Sequence, residues 1–417
     1  MAISEIQVPS TYTPAYNNMW HFIDSTNNAQ PNFKYRFKIY VNGTYIGRPF
    51  TVSPDPDFGY GKLNVSRIVS SYVTQTETID DAFAGTKQDT NTWVKYYVVY
   101  GEEYGALSSG VTVYDGLVTS STVYAYAGAL DTLVFDTHVY SNYVLSNSSK
   151  LFATNIPRTF RIYENQYFWL GCMADTTNKI NRYEIKTYNS AGTLIDTFEI
   201  NNPYNSAGTT DKDKFLSLNV GYNLNNIDAG EFLVGTPPVI TDSVYSYTVK
   251  TLDNGVPGVA TSETITFKIQ RQHCDYDEAY DIFFQNAFGF FDSYRFTRYN
   301  SKSMTVTRKE YKQNKGELQI SGWTNNNQYR ARTQYYTEFQ DKILMRSDWL
   351  NTDEAEWLAE LVASPSVWIR TNVGGIETPV PVIVTNTEWE KKSTSQGEVF
   401  KLDLQVEYSV KNYRQRA

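Results

Sequence analysis

Residues 400–408 constrain what this chain can build more than any other stretch. Phe400, Leu402, Leu404, Val406 and Tyr408 alternate with Lys401, Asp403, Gln405 and Glu407. A period of two places the five large apolar side chains on one face of an extended strand and the polar ones on the other. A helix would scatter them around its circumference. The pattern recurs along the chain. Phe33, Tyr35, Phe37, Ile39 and Val41 alternate with Lys34, Arg36 and Lys38. Asn42-Gly43 follows, a hairpin signal because both turn positions favour positive φ, and Tyr45 and Ile46 begin the return strand. Val94, Tyr96 and Val98 alternate again, and Gly101 is expected to end that run.

The expected fold class is therefore all-β, mainly antiparallel, built of several β-sandwiches. A length of 417 residues implies two or three domains, and no fixed-period repeat is visible. Residues 1–115 read as an N-terminal β domain with an N-terminal arm. Within it Pro54 and Pro56 mark a turn, and Ile68, Val69, Tyr72 and Val73 have the spacing of a short helix. Residues 116–154 are rich in Ser, Thr, Tyr and Asn and read as a connecting loop or arm. Residues 155–272 read as a sandwich of immunoglobulin or fibronectin type. The expected elements there are a strand–turn–strand around Glu164-Asn165, a hairpin turning at Asn189–Gly192, a strand carrying Leu216, Leu218 and Val220, and two closing strands around Asp253–Gly258. Residues 273–417 form a C-terminal β domain with one helix at about 352–363. Asn351 or Thr352 can cap that helix, Asp353 and Glu354 suit its positive end, and Trp357, Leu358, Leu361 and Val362 make its apolar stripe. Ser364-Pro365 stops it, and a hairpin turning at Gly374-Gly375 follows.

Composition narrows the chemistry. The chain holds 34 Tyr, 22 Phe and 8 Trp, but only 3 His and 2 Cys. It is rich in residues that build surfaces and poor in those that move protons or bind metals. A net charge of −8, with no Lys/Arg-rich run, argues against a phosphate-backbone binder. The nearest basic feature is the tail with Lys411, Arg414 and Arg416. The N-terminus lacks the basic and apolar regions of a secretory signal, and no apolar stretch is long enough for a membrane span, so synthesis in the cytoplasm without membrane insertion is expected. Cys172 and Cys274 read as buried hydrophobes.

No catalytic residue, cofactor or metal site is expected. There is no phosphate loop at Gly101–Gly105 and no Gly-x-Ser-x-Gly elbow. His21, His138 and His273 occur singly. His273-Cys274-Asp275 is contiguous, whereas metal ligands converge from separated backbone. Asp55/Asp57, Asp80-Asp81, Asp211/Asp213 and Asp275/Asp277 could offer hard oxygens to calcium but match no EF-hand loop. Glu102-Glu103 singles out no pair for glycoside hydrolysis. The tyrosines that strand registers leave over, among them Tyr12, Tyr16, Tyr124, Tyr126, Tyr140 and Tyr143, are candidate interface residues. Tyrosine supplies large contact area at low entropic cost.

The segment Phe284-Gln285-Asn286-Ala287-Phe288-Gly289-Phe290-Phe291-Asp292-Ser293-Tyr294-Arg295-Phe296 carries the pattern F-x-N-x-x-G-x-x-D-x-Y-x-F. It resembles virion structural proteins of tailed bacteriophages of Bacteroidetes, including crAss-like phages. Pro54 to Val73 resembles an N-terminal segment of the same proteins. The resemblance implies a tail, neck-ring, hub or baseplate subunit, located in the virion and assembled in the host bacterial cytoplasm. It implies a closed homo-oligomeric ring of about six or twelve copies, contacts with other tail or neck proteins, and no enzymatic activity. Asn286 and Gly289 would fix a turn, and Asp292 would cap backbone amides. A carbohydrate-binding adhesin is the alternative. Contacts are expected in the weakly patterned stretches Met1–Pro31 and Gly116–Ser149.

Overall fold

A computed structural model describes residues 3–74, 84–88, 91–106, 110–135, 137–174, 180–204, 214–271, 279–312, 316–325, 332–373, 376–386 and 400–415. The fold is all-β with mostly antiparallel sheets. It divides into two compact units, Met1–Arg271 with Gln285–Ser293, and Gln272–Phe284 with Tyr294–Ala417.

The first unit begins with a sandwich of β1 (Ile3–Gln7), β2 (Tyr12–Pro14), β3 (Trp20–Ser25), β4 (Lys34–Val41), β5 (Thr44–Tyr45), β6 (Phe50–Val52), β7 (Gly61–Asn64), then, past β8 (Thr86–Gln88), β9 (Trp93–Tyr104), β10 (Thr112–Thr119) and β11 (Val123–Tyr126). One sheet has the order β1-β3-β7. The facing sheet runs β2-β11-β9-β4-β5, with β6 on β4 and β10 on β9. The alternating residues of β4 and β9 fill the core between them. Tyr35, Phe37, Ile39, Tyr96, Val98 and Tyr100 are fully buried. Asn42 and Gly43 hold the positive φ of 50° and 80° that their turn requires. The helical spacing after Val65 becomes the turn Ser66–Val69 and a 3₁₀ turn, Ser70–Tyr72.

A second sandwich in the same unit comprises β12 (Val144–Leu145), β13 (Thr159–Tyr163), β14 (Trp169–Ala174), β15 (Arg182–Tyr188), β16 (Leu194–Asn201), β17 (Phe215–Asn219), β18 (Phe232–Val234), β19 (Ser246–Leu252) and β20 (Ile265–Gln270). Its sheets run β12-β14-β17-β8 and β13-β20-β19-β15-β16-β18. The two sandwiches share a strand order. In each, an early strand lies parallel to the last one, β2 to β11 and β13 to β20. In each, the sheet continues from that last strand to an antiparallel neighbour, β9 or β19, and then to a hairpin, β4–β5 or β15–β16. Tyr183 Oη, buried under the smaller sheet, donates to Gly85 O and Asn219 O, and Tyr247 Oη donates to Val220 O, tying the two sheets together.

Three expectations change. Gly101 does not end β9, which runs on to Tyr104; a Cβ there would lie 2.5 Å from Tyr114 O, so this glycine admits the bulged neighbour β10. The stretches read as arms are structural. Met1–Pro31 supplies β1 to β3 with core residues Ile3, Ala15, Met19 and Ile23, and 116–154 supplies β11, wedged between β2 and β9. Strands of three to five residues are too short to show alternation. Third, the second sandwich draws β8 and β12 from outside 155–272. The strand–turn–strand around Glu164-Asn165 is present: Asn165 turns the chain with φ 66°, and β13 and β14 lie in opposite sheets.

The second unit has one sheet of β21 (Tyr280–Gln285), β22 (Phe291–Phe296), β23 (Asn300–Lys312), β26 (Arg332–Arg346), β27 (Val367–Val373), β28 (Ile376–Val384), β29 (Asp403–Tyr408) and β30 (Asn412–Gln415). The small hairpin β24 (Gly316–Gln319) and β25 (Gly322–Asn325) lies between β23 and β26 in sequence. The order is β22-β21-β27-β28-β29-β26-β23, with β30 on β26. The alternating terminal segment is the interior strand β29, with Leu404 and Val406 fully buried. The helix spans Thr352–Ala363. Asn351 and Glu354 close a reciprocal capping box on its first turn. Trp357 packs on Phe284 and Tyr294 at 5.5 and 6.2 Å between ring centroids. The Gly374-Gly375 turn lies outside the described residues.

Candidate assembly surfaces

Five of the six candidate interface tyrosines do form an interface, but inside the first unit, between its two sandwiches. Tyr12, Tyr126 and Tyr140 are buried there and Tyr124 and Tyr143 half-buried, in one cluster with Trp93, Met173, Phe288 and Phe290. Phe215, at the start of β17, is the hub. Its ring lies 5.4 Å from Trp93, 6.0 Å from Tyr126, 6.3 Å from Phe290 and 6.4 Å from Tyr12. Tyr12 stacks on Tyr124 at 5.4 Å. The sixth, Tyr16, is 49% exposed.

The turn Gln285–Ser293 belongs to the first unit, and the three motif residues meet in it. Asn286 Oδ1 accepts from the amides of Phe288 and Phe290 at 3.0 and 3.1 Å. Its Nδ2 donates to Ala153 O and to Asp292 Oδ1. Gly289 holds φ +83°, and a Cβ there would lie 2.4 Å from Ala127 O. The Asp292 carboxylate accepts from the side chains of Asn286 and Thr154, with Thr154 Oγ1 at 2.8 Å. Phe290 covers Gly171 so closely that a Cβ there would lie 2.3 Å from its ring. The turn is thus a plug held in the seam.

Beside the seam opens a cleft of about 750 Å³. Its lining includes Ser10, Tyr12, Tyr124, His138, Tyr140 and Lys214. A smaller recess of about 180 Å³ shares Ser10, His138 and Tyr140 and adds Pro9, Trp20 and Phe135. The buried Lys214 ammonium lies 3.8 Å from the Tyr124 ring centroid and donates to Tyr12 Oη. His138 stacks on Tyr143, and its Nε2 is buried without a hydrogen-bond partner among the described residues. Burial holds its imidazole below the usual histidine range. Leu133, Val134 and Val139 stand exposed at 89, 50 and 54%, on the same segment as His138.

The second unit offers a different surface. β23 and β26 pair over their whole lengths, Asn300↔Met345 to Lys312↔Arg332. Among the described strands β23 has no partner other than β26. Most of its side chains are exposed on both faces. At about 3.4 Å per residue its 13 residues span roughly 40 Å. The β24–β25 hairpin in the connection exposes Leu318 at 81%, Ile320 at 110% and Trp323 at 56%. β23 carries Lys302, Arg308, Lys309 and Lys312 against one acid, Glu310. The first unit's sequence carries 26 Asp and Glu against 19 Lys and Arg.

Sequence reasoning did not find this arm, the cleft, His138 or Lys214. One signal was present: Leu318 and Ile320 sit between Gly316 and Gly322, and Trp323 follows, in a polar stretch flanked by strands with no consistently apolar face.

The carboxylates weighed for chemistry are otherwise engaged. Asp55 accepts from the amides of Asp57 and Phe58 and pairs with Lys62 at 2.9 Å, and those bonds hold its carboxyl below the usual range. Glu102 is buried against Ser25 Oγ and Asn27 Nδ2, and Glu103 pairs with Arg36 at 2.6 Å. Among the described residues no group of three or more His, Cys, Asp or Glu could hold a metal, and no helix is long and apolar enough to cross a membrane. Asp80, Asp81, Asp211, Asp213, His273, Cys274, Asp275, Asp277 and Arg416 lie outside the described residues. No family model and no curated protein sequence matches the chain.

Proposed function

We propose that this protein is a non-enzymatic structural subunit of a bacteriophage virion, a ring-forming tail, neck, hub or baseplate component that works through protein–protein contacts. One observation carries the reading. The long ribbon of β23 and β26 is joined in sequence by a hairpin exposing Leu318, Ile320 and Trp323. Apolar groups exposed to this degree suit burial by a partner. The resemblance around Asn286, Gly289 and Asp292 points to the same class. The test is the mass of the purified chain across concentration by mass photometry, together with its detection in purified particles. A chain that stays monomeric and is absent from particles would end the proposal.

A second reading, a carbohydrate-binding adhesin, is favoured by the cleft. Hydroxyls from Ser10, Thr11, Ser141 and Ser146 line it beside Tyr12, Tyr124 and Tyr140. Binding of the purified chain to a glycan array, lost on Tyr124→Ala, would support that reading.

A further inference from the structure

We propose that the arm tip of one copy, Leu318, Ile320 and Trp323, seats in the recess around His138 and Tyr140 on the first unit of a second copy. The inference rests on the assembly reading and names the contact that performs it.

Three observations meet. The arm is basic along β23, while the first unit of the chain is acidic overall. The arm of one copy is therefore drawn to the first unit of another and repelled by another arm. Secondly, both surfaces expose apolar side chains. The tip offers two aliphatic groups and an indole. The recess offers Trp20, Phe135 and Tyr140, with Leu133, Val134 and Val139 exposed on the adjoining segment. Asp131, exposed and capping the turn that carries Leu133, puts an acidic group at that apolar edge. Thirdly, the lining of the recess is aromatic, with His138 as well as Trp20, Phe135 and Tyr140, and an indole packs well among such rings.

The contact joins two different surfaces, so it is heterologous. Each copy gives one arm and receives one, and such a contact closes into a ring when the rotation between copies permits. The bland reading of a basic edge strand is that lysines keep it from pairing with other sheets. That reading leaves the three exposed apolar side chains at the tip without a role.

The test uses the full chain and two variants at exposed positions. One is the arm variant Ile320→Asp/Trp323→Asp. The other is the recess variant Leu133→Asp/Val139→Asp. Unchanged melting temperatures confirm folding. The wild type should form closed oligomers, and each variant alone should be monomeric. Mixed in equal amounts, the two variants should form a 1:1 dimer and nothing larger, because only one arm and one recess remain intact. A second arm variant, Arg308→Glu/Lys309→Glu, should weaken association about tenfold at low salt and less at high salt. An arm variant that assembles like the wild type overturns this inference and leaves the assembly reading standing. Monomeric variants that form no mixed dimer also overturn it, pointing to an arm–arm contact. A wild type that remains monomeric overturns both.

Discussion

His21 sits between the sheets of the first sandwich, its Nδ1 2.7 Å from Tyr100 Oη and its Nε2 3.4 Å from Tyr96 Oη. Burial lowers its pKa from 6.5 to about 4. The folded state therefore binds this proton less readily than the unfolded state. Its stabilising contribution is complete above about pH 6.5 and is lost as pH falls from there to about 4. The full effect is about 3 kcal/mol, from 1.36 kcal/mol per pKa unit. A His21→Gln variant should lose that part of the slope when melting temperature is followed from pH 7 to pH 4; an unchanged slope would mean that His21 is not the group responsible. Gly289 is a second residue whose role is local. Replacement by alanine places a Cβ at φ +83° and against Ala127 O, and should destabilise by about 2 kcal/mol or more, measured by denaturant melts. Both residues stood out in the sequence, His21 as one of three histidines and Gly289 within its turn motif. Their neighbours did not, because Tyr96 and Ala127 come from strands far away in sequence. Five of the six loop tyrosines show the same division. They pack between the two sandwiches of the first unit, and no sequence pattern said that their partners lay in the same chain.

At the scale of elements, legibility followed length and periodicity. β29 was readable because the alternating run Phe400 to Tyr408, of which Leu404, Val406 and Tyr408 lie in the strand itself, admits one register; a slip by one residue would turn its apolar face outward. β29 lies between β28 and β26, paired on both edges, with Leu404 fully buried. Leu404→Asp should therefore cost more than about 4 kcal/mol through an unpaired buried charge, and the calorimetric transition of the second unit should disappear. A variant with a normal transition would show that the strand's inner face is not packed. The helix Thr352–Ala363 was readable to its caps for a similar reason, since Asn351 and Glu354 act within one turn. β8, β11 and β12 were not readable. Each has two to four residues, and each exists only because a longer strand offers an edge: Thr86–Gln88 pairs with β17, and Val123–Tyr126 fills the gap between β2 and β9. The strand–turn–strand around Asn165 was readable as far as it went. A turn signal marks a change of direction and does not say whether the chain stays in its sheet, and here β13 and β14 lie in opposite sheets.

At the scale of the molecule, the duplicated topology was invisible because matching positions are filled by different residues and loops. The consequence is mechanical. The second sandwich is incomplete by itself: one edge of its smaller sheet is β8, which the chain supplies before β9 of the first sandwich is built. Its Gly171 is covered by Phe290 from a turn more than a hundred residues later. Its Phe215 is covered by Tyr12, Trp93 and Tyr126 of the first sandwich. A fragment of residues 127–271 would leave that aromatic surface in water and the outer edge of β17 unpaired. It should fail to melt cooperatively, while a fragment ending at Ser293 from residue 1 should melt in a single transition. In the full chain, Phe215→Ala removes the hub of the seam and should cost about 3–5 kcal/mol. Because the ring touches both sandwiches, hydrogen-exchange protection should fall in β9 and β11 as well as in β14 and β17. Protection lost in the second sandwich alone, or a stable 127–271 fragment, would show two independent domains in contact. The first unit would then lack the rigidity that an assembly subunit needs to fix the direction of its contacts.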